Sequence, residues 1–157
     1  METMLKACGE YRIIGRRDGR VILDRTYKNV VTQLYFDALF KLMDSTEATA
    51  TADDLKINVL ATGSGTAAAT KQDLQLQSEV FRKSITDTRV TATAIEVITE
   101  LTIADSNFTI KELGLFANAN PLTPNDGTLI SRVAISPIEK LASEQYQILY
   151  KFTIQEG

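Results

Sequence analysis

Residues 145–154 alternate without a break. Tyr146, Ile148, Tyr150, Phe152 and Ile154 share one parity; Gln145, Gln147, Leu149, Lys151 and Thr153 share the other. A period of two puts the first set on one side of an extended chain, which describes a half-buried strand. Other β-rich runs cover 55–61, 79–86, 89–103, 108–116 and 129–135. The run 89–103 reads as one long strand or a bent pair, and Pro137 is expected to stop the run that precedes it. Residues 10–27 read as a hairpin, with Asp18-Gly19 as its turn dipeptide. No helical pattern separates the later strands, so the crossovers that a parallel sheet needs are missing.

One helix breaks the pattern, over 30–43. Val31, Leu34, Tyr35, Ala38, Leu39 and Leu42 form its apolar stripe. Asn29 or Thr32 is placed to cap its start. Phe36, Phe40 and Met43 lie off that stripe by about 100–180° of helical rotation. A helix with two apolar sides is buried twice. In a chain of 157 residues the second side is expected to meet another chain. The reading is mainly β: an antiparallel β-sandwich of about seven or eight strands with one inserted amphipathic helix. It forms a single domain over 1–157, without repeat or linker.

The chemistry is bounded by two counts. Histidine is absent and cysteine occurs once, as Cys8. No Ser-His-Asp or Cys-His pair, no ordinary zinc site and no intrachain disulfide can be built. Gly63-Ser-Gly65-Thr66 follows a strand, but Ala68 stands where a dinucleotide fingerprint needs glycine, and no Gly-Lys-Ser/Thr follows. It reads as a flexible loop of small residues. Glu96 and Glu100 on one strand face would sit about 13 Å apart, too far for glycoside hydrolysis. Asp53-Asp54 and Asp126 lack the alternating ligands of a calcium loop. Cys8 has no evident activating base. The chain reads as a non-enzyme, without metal or cofactor.

Seventeen basic and twenty acidic side chains give a net charge of −3, which argues against a nucleic-acid partner. Arg12, Arg16, Arg17 and Arg20 cluster within nine residues and read as a solvated hairpin. No apolar run of about 18 residues is present to span a membrane. The first six residues are not a signal peptide. The sequon Asn107-Phe108-Thr109 reads as chance, and synthesis in the cytosol is expected.

Several short motifs occur in a fixed order. Leu76-Gln-Ser-Glu-Val-Phe-Arg82 follows the Thr-Gly-Ser-Gly-Thr loop. Then come Ile110-Lys-Glu112-Leu-Gly114-Leu-Phe116, Asp126-Gly-Thr-Leu-Ile-Ser-Arg132 and Pro137-Ile-Glu139-Lys140, with Asn29-Val-Val-Thr32 earlier. This order, over about residues 20–155, resembles tailed-bacteriophage virion proteins. It is similar to the N-terminal domains of tail-collar and tail-fibre proteins and to small tail or baseplate proteins.

The resemblance implies a structural role in the virion, assembled in the host cytoplasm, and a homo-oligomer docked to other tail proteins. A ring of three or six subunits is expected. Capsid decoration or a head fibre is an alternative. A carbohydrate- or receptor-binding module is another, with five tyrosines available and no tryptophan. Phe36, Phe40 and Met43 are the expected intersubunit contact. Arg82, Glu112 and Arg132 are candidate interface residues, able to pair across strands but read as ordinary strand surface. The loops 44–54, 62–70 and 118–127 are expected to meet neighbours.

Overall fold

The computed structural model describes residues 5–156. In chain order the elements are β1 (Leu5–Arg17), β2 (Arg20–Lys28), β3 (Val30–Val31), α1 (Gln33–Met43), a 3-10 turn (Ala52–Leu55), β4 (Ile57–Gly63), β5 (Glu79–Ser84), β6 (Asp87–Val90), β7 (Ala94–Leu101), β8 (Thr109–Ala117), β9 (Thr128–Glu139) and β10 (Glu144–Glu156). They form two antiparallel five-stranded sheets, ordered β2-β1-β10-β7-β6 and β3-β9-β8-β4-β5. The mainly-β antiparallel sandwich with one helix is the observed fold.

Alternation builds the core. Tyr146, Ile148, Tyr150 and Phe152 are buried on the inner side of β10, while Gln145 and Lys151 are exposed. Ile154 keeps the parity but is exposed. From the first sheet, Tyr11, Ile13, Val97 and Leu101 join them. Leu60, Leu113, Leu115 and Val133 come from the second. Tyr11 and Tyr150 are opposite in register, with ring centroids 4.8 Å apart. The Tyr11 hydroxyl crosses the core to the Ser131 hydroxyl at 2.5 Å, tying the sheets together. At the β1–β2 turn Asp18 and Gly19 both take positive φ, 50° and 75°, as a two-residue primed turn requires.

Three boundaries differ from the sequence reading. The helix begins at Gln33, because Val30 and Val31 pair with Arg132 and Ser131 as β3. Thr32 holds the N-cap position, but its hydroxyl donates to the Leu129 carbonyl at 2.5 Å instead of capping. Leu55 belongs to the 3-10 turn, so the fourth strand starts at Ile57. Of the two readings of 89–103, a long strand or a bent pair, the pair is observed: a hairpin folded at Thr91, whose hydroxyl accepts from the Ala94 N–H. Pro137 does not stop β9. Between the pairs Ile110–Ile138 and Glu112–Ala134 the ladder shifts register, and a proline that donates no hydrogen bond is tolerated in such a bulge. With β3 and the split run, the described residues form ten strands where about seven or eight are expected.

The second sheet is covered on both faces. Outside it, Val59, Ala61, Phe116, Ala119 and Leu129 form a second apolar cluster. Its cover is segment 64–78, whose Leu76 is buried, together with Leu34 of α1.

Candidate functional site: two ionic nodes under two loops

The outer face of the second sheet carries charge where apolar packing would be expected. Glu112 on β8 is fully buried. Its Oε1 accepts the Gly65 N–H at 3.0 Å and the Ser78 N–H at 2.7 Å; its Oε2 accepts the Gln77 N–H at 3.0 Å. The fourth donor is Arg132 Nε on β9, at 2.9 Å from Oε2. Three peptide donors and a guanidinium satisfy the carboxylate, as burial of a charge requires.

Arg132 is equally occupied. Its remaining nitrogens donate to the Ala67 carbonyl at 2.9 Å, the Ala68 carbonyl at 3.4 Å and Asp73 Oδ2 at 2.9 Å. Burial pushes the Asp73 carboxyl up. The Thr70 N–H and Arg132 outweigh that and hold it below its usual value. Segment 64–78 is therefore a strap, pinned at both ends by Glu112 and in the middle by Arg132.

The glycines follow from this carboxylate. A Cβ on Gly63 or Gly65 would lie 2.6 or 2.5 Å from Glu112 Oε1, inside van der Waals contact. Gly114 leaves room for Leu76, whose methyl occupies the space a Cβ would need. The small-residue loop is thus an anchored segment rather than a flexible one.

A second node lies alongside. Arg82 on β5 pairs in bidentate fashion with Glu79, at 2.6 and 3.1 Å, and its guanidinium stacks 4.7 Å above the Phe116 ring. Its third nitrogen donates to the Asn120 and Asp126 carbonyls at 2.9 and 3.0 Å. Glu79 in turn accepts the Asn125 N–H at 3.2 Å. This node fastens loop 118–127.

At the far end of β9, buried Lys140 donates to Asn107 Oδ1 at 2.8 Å. Burial lowers its pKa against the pull of Asp105 and Glu144. The Asn107 amide N–H2 donates to the Ile103 carbonyl, so both ends of the sequon side chain are engaged.

These positions correct the sequence reading of Arg82, Glu112 and Arg132. They are buried, and their hydrogen bonds reach the chain's own loops rather than a neighbour. Glu112 pairs with Arg132, while Arg82 pairs with Glu79. The sequence signal for this node is Gly63 and Gly65, the second itself a donor to Glu112: glycines stand where the carboxylate enters.

The helix face also divides. Phe36 is half-buried against the inner core, its ring 5.2 Å from Tyr35. Phe40 is 59% exposed and Met43 73%. Of the five tyrosines, Tyr11, Tyr146 and Tyr150 are buried and Tyr27 and Tyr35 are half-buried. Two of the four clustered arginines are neutralised, Arg12 by Asp24 and Arg17 by Glu144.

A shallow cleft of about 500 Å³ lies against β1 and β10, with Lys6, Lys28, Lys151, Glu10 and Cys8 on its walls. Among the described residues no three Cys, Asp or Glu side chains gather as a metal site. No helix there is long and apolar enough to cross a membrane. The arrangement ties segment 64–78 and loop 118–127 to the second sheet. The chain matches no family model, no curated protein and no solved structure.

Proposed function

We propose that the chain is a non-enzymatic structural subunit of a tailed-phage virion, in the tail, baseplate or fibre-attachment region. It acts by assembling into a closed ring and docking to other tail proteins. The observation that carries this reading is the end of α1, where Phe40 and Met43 stand largely in solvent. An aromatic and a methionine together on one exposed helix end are the anchors that interface cores use. The resemblance adds support: Arg82, Glu112, Gly114 and Arg132 of the quoted motifs belong to the two nodes and their packing, one coherent structural unit.

Light scattering of the purified chain tests it. The expected mass is three or six times 17.3 kDa. A chain that stays monomeric at high concentration, with no change on replacing Phe40 and Met43 by Ser, overturns the reading.

A further inference from the structure

Two exposed surfaces of this chain complement one another. The first is the β1–β2 hairpin tip. Residues 16–25 carry Arg16, Arg17, Arg20 and Arg25 against Asp18 and Asp24. Among the described residues Arg16, Arg20 and Arg25 form no ion pair. Val21 and Ile22 beside them are 57% and 46% exposed. The second is the end of α1 with the turn after it. Residues 33–56 carry Asp37, Asp44, Glu47, Asp53 and Asp54 against Lys41 and Lys56. Of the two lysines, Lys56 is paired with Asp53. The Asp44 and Glu47 carboxylates accept only from Thr46 and Thr49, whose hydrogen bonds hold both below the usual carboxylate range. Phe40 and Met43 supply the apolar part.

The two surfaces cannot meet within one molecule. The hairpin tip pairs with Glu144, and Tyr146 beside it faces Lys140 just beyond the Glu139 end of β9. The helix leaves from Thr32, bonded to Leu129 and Ile130 at the other end of β9. Ten residues of strand separate those ends, roughly 33 Å. A basic, aliphatic protrusion at one end and an acidic, aromatic ledge at the other call for a second copy.

We infer that the hairpin tip of one subunit docks on the α1 end of the next, Val21 and Ile22 against Phe40 and Met43, with the free arginines facing Asp44 and Glu47. The contact is heterologous, so its repetition closes a ring if the rotation allows and otherwise gives a filament. This inference rests on the proposed self-assembly and names the two surfaces that would make it.

Cross-linking tests the contact directly. In a Cys8→Ser background, Ile22→Cys with Met43→Cys is expected to give covalent trimers and larger species on oxidation. Either cysteine alone stops at dimers. Arg20→Glu with Arg25→Glu is expected to abolish assembly. Adding Asp44→Lys and Glu47→Lys to that chain restores it. Arg20, Arg25 and Asp44 are exposed and Glu47 is half-exposed, and an unchanged thermal melt confirms folding. Assembly that survives the charge reversal, with no ladder beyond dimer, overturns this pairing and leaves the ring. A parent chain that never assembles overturns both.

Discussion

Arg132 Nε lies 2.9 Å from Glu112 Oε2 on the outer face of the second sheet, both side chains shut off from water. A buried pair of this kind adds little over a well-packed apolar substitute, but removing one member strands the other. Glu112→Ala also leaves the Gly65, Gln77 and Ser78 N–H groups without an acceptor. The expected loss is about 3–5 kcal/mol, read as a lower denaturant midpoint. Segment 64–78 should become the first site of limited proteolysis. A stability within about 0.5 kcal/mol of the parent would refute the strap's dependence on Glu112.

Leu76 and Gly114 are coupled through space. Leu76→Ala should cost about 2–5 kcal/mol, as other buried leucines do. Gly114→Ala alone should also destabilise, because the new methyl meets the Leu76 side chain. The double variant removes that clash, so it should be no less stable than Leu76→Ala. Strict additivity in the double-mutant cycle would count against the contact.

Arg82 is not exchangeable with lysine. A compact ammonium cannot reproduce the bidentate bond to Glu79, the two carbonyl contacts and the stacking on Phe116 together. Arg82→Lys should lose about 1.5–3 kcal/mol and raise hydrogen exchange at Asn125, whose N–H bonds to Glu79. Unchanged exchange there would show that the loop holds itself.

Alkali should unfold the chain through its tyrosines. Burial pushes Tyr150 up to about 12, and burial with nearby Glu144 does the same for Tyr146; Tyr11 is also raised. The folded state therefore keeps protons that the unfolded chain gives up near pH 10. The stability these groups contribute is fully present below about pH 10 and lost as pH rises toward 12. Tyrosinate absorbance and circular dichroism, followed together, should show these three ionising with the loss of structure. Ionisation of all five while the fold persists would contradict this.

The legible parts of this molecule are those where one face meets water. β10 announced itself because Gln145 and Lys151 alternate with Tyr146, Ile148 and Tyr150, and Asp18-Gly19 marked its hairpin because both residues tolerate positive φ. β8 gave a weaker signal: with both faces covered, Leu113, Leu115 and Phe116 sit beside Glu112 without a clean period. The helix start was misplaced because the pairing of Val30 and Val31 with β9 is a tertiary choice that local propensity does not record. The nodes were hidden for a related reason. Glu112 and Arg132 stand out as charged letters in a strand, but their partners are mostly main-chain atoms of segment 64–78, and backbone groups carry no letter in the sequence.

Glu112 grips Gly65, Gln77 and Ser78 by their peptide N–H groups, and Arg132 grips Ala67 and Ala68 by their carbonyls. The exposed side chains of Thr66, Ala67, Ala68, Lys71, Gln72 and Gln75 take no part in those bonds. The trace of the strap is thus inherited from the sheet beneath it, while its outward lettering is free to drift. Such a surface can acquire a new specificity by substitution alone, without relearning its shape.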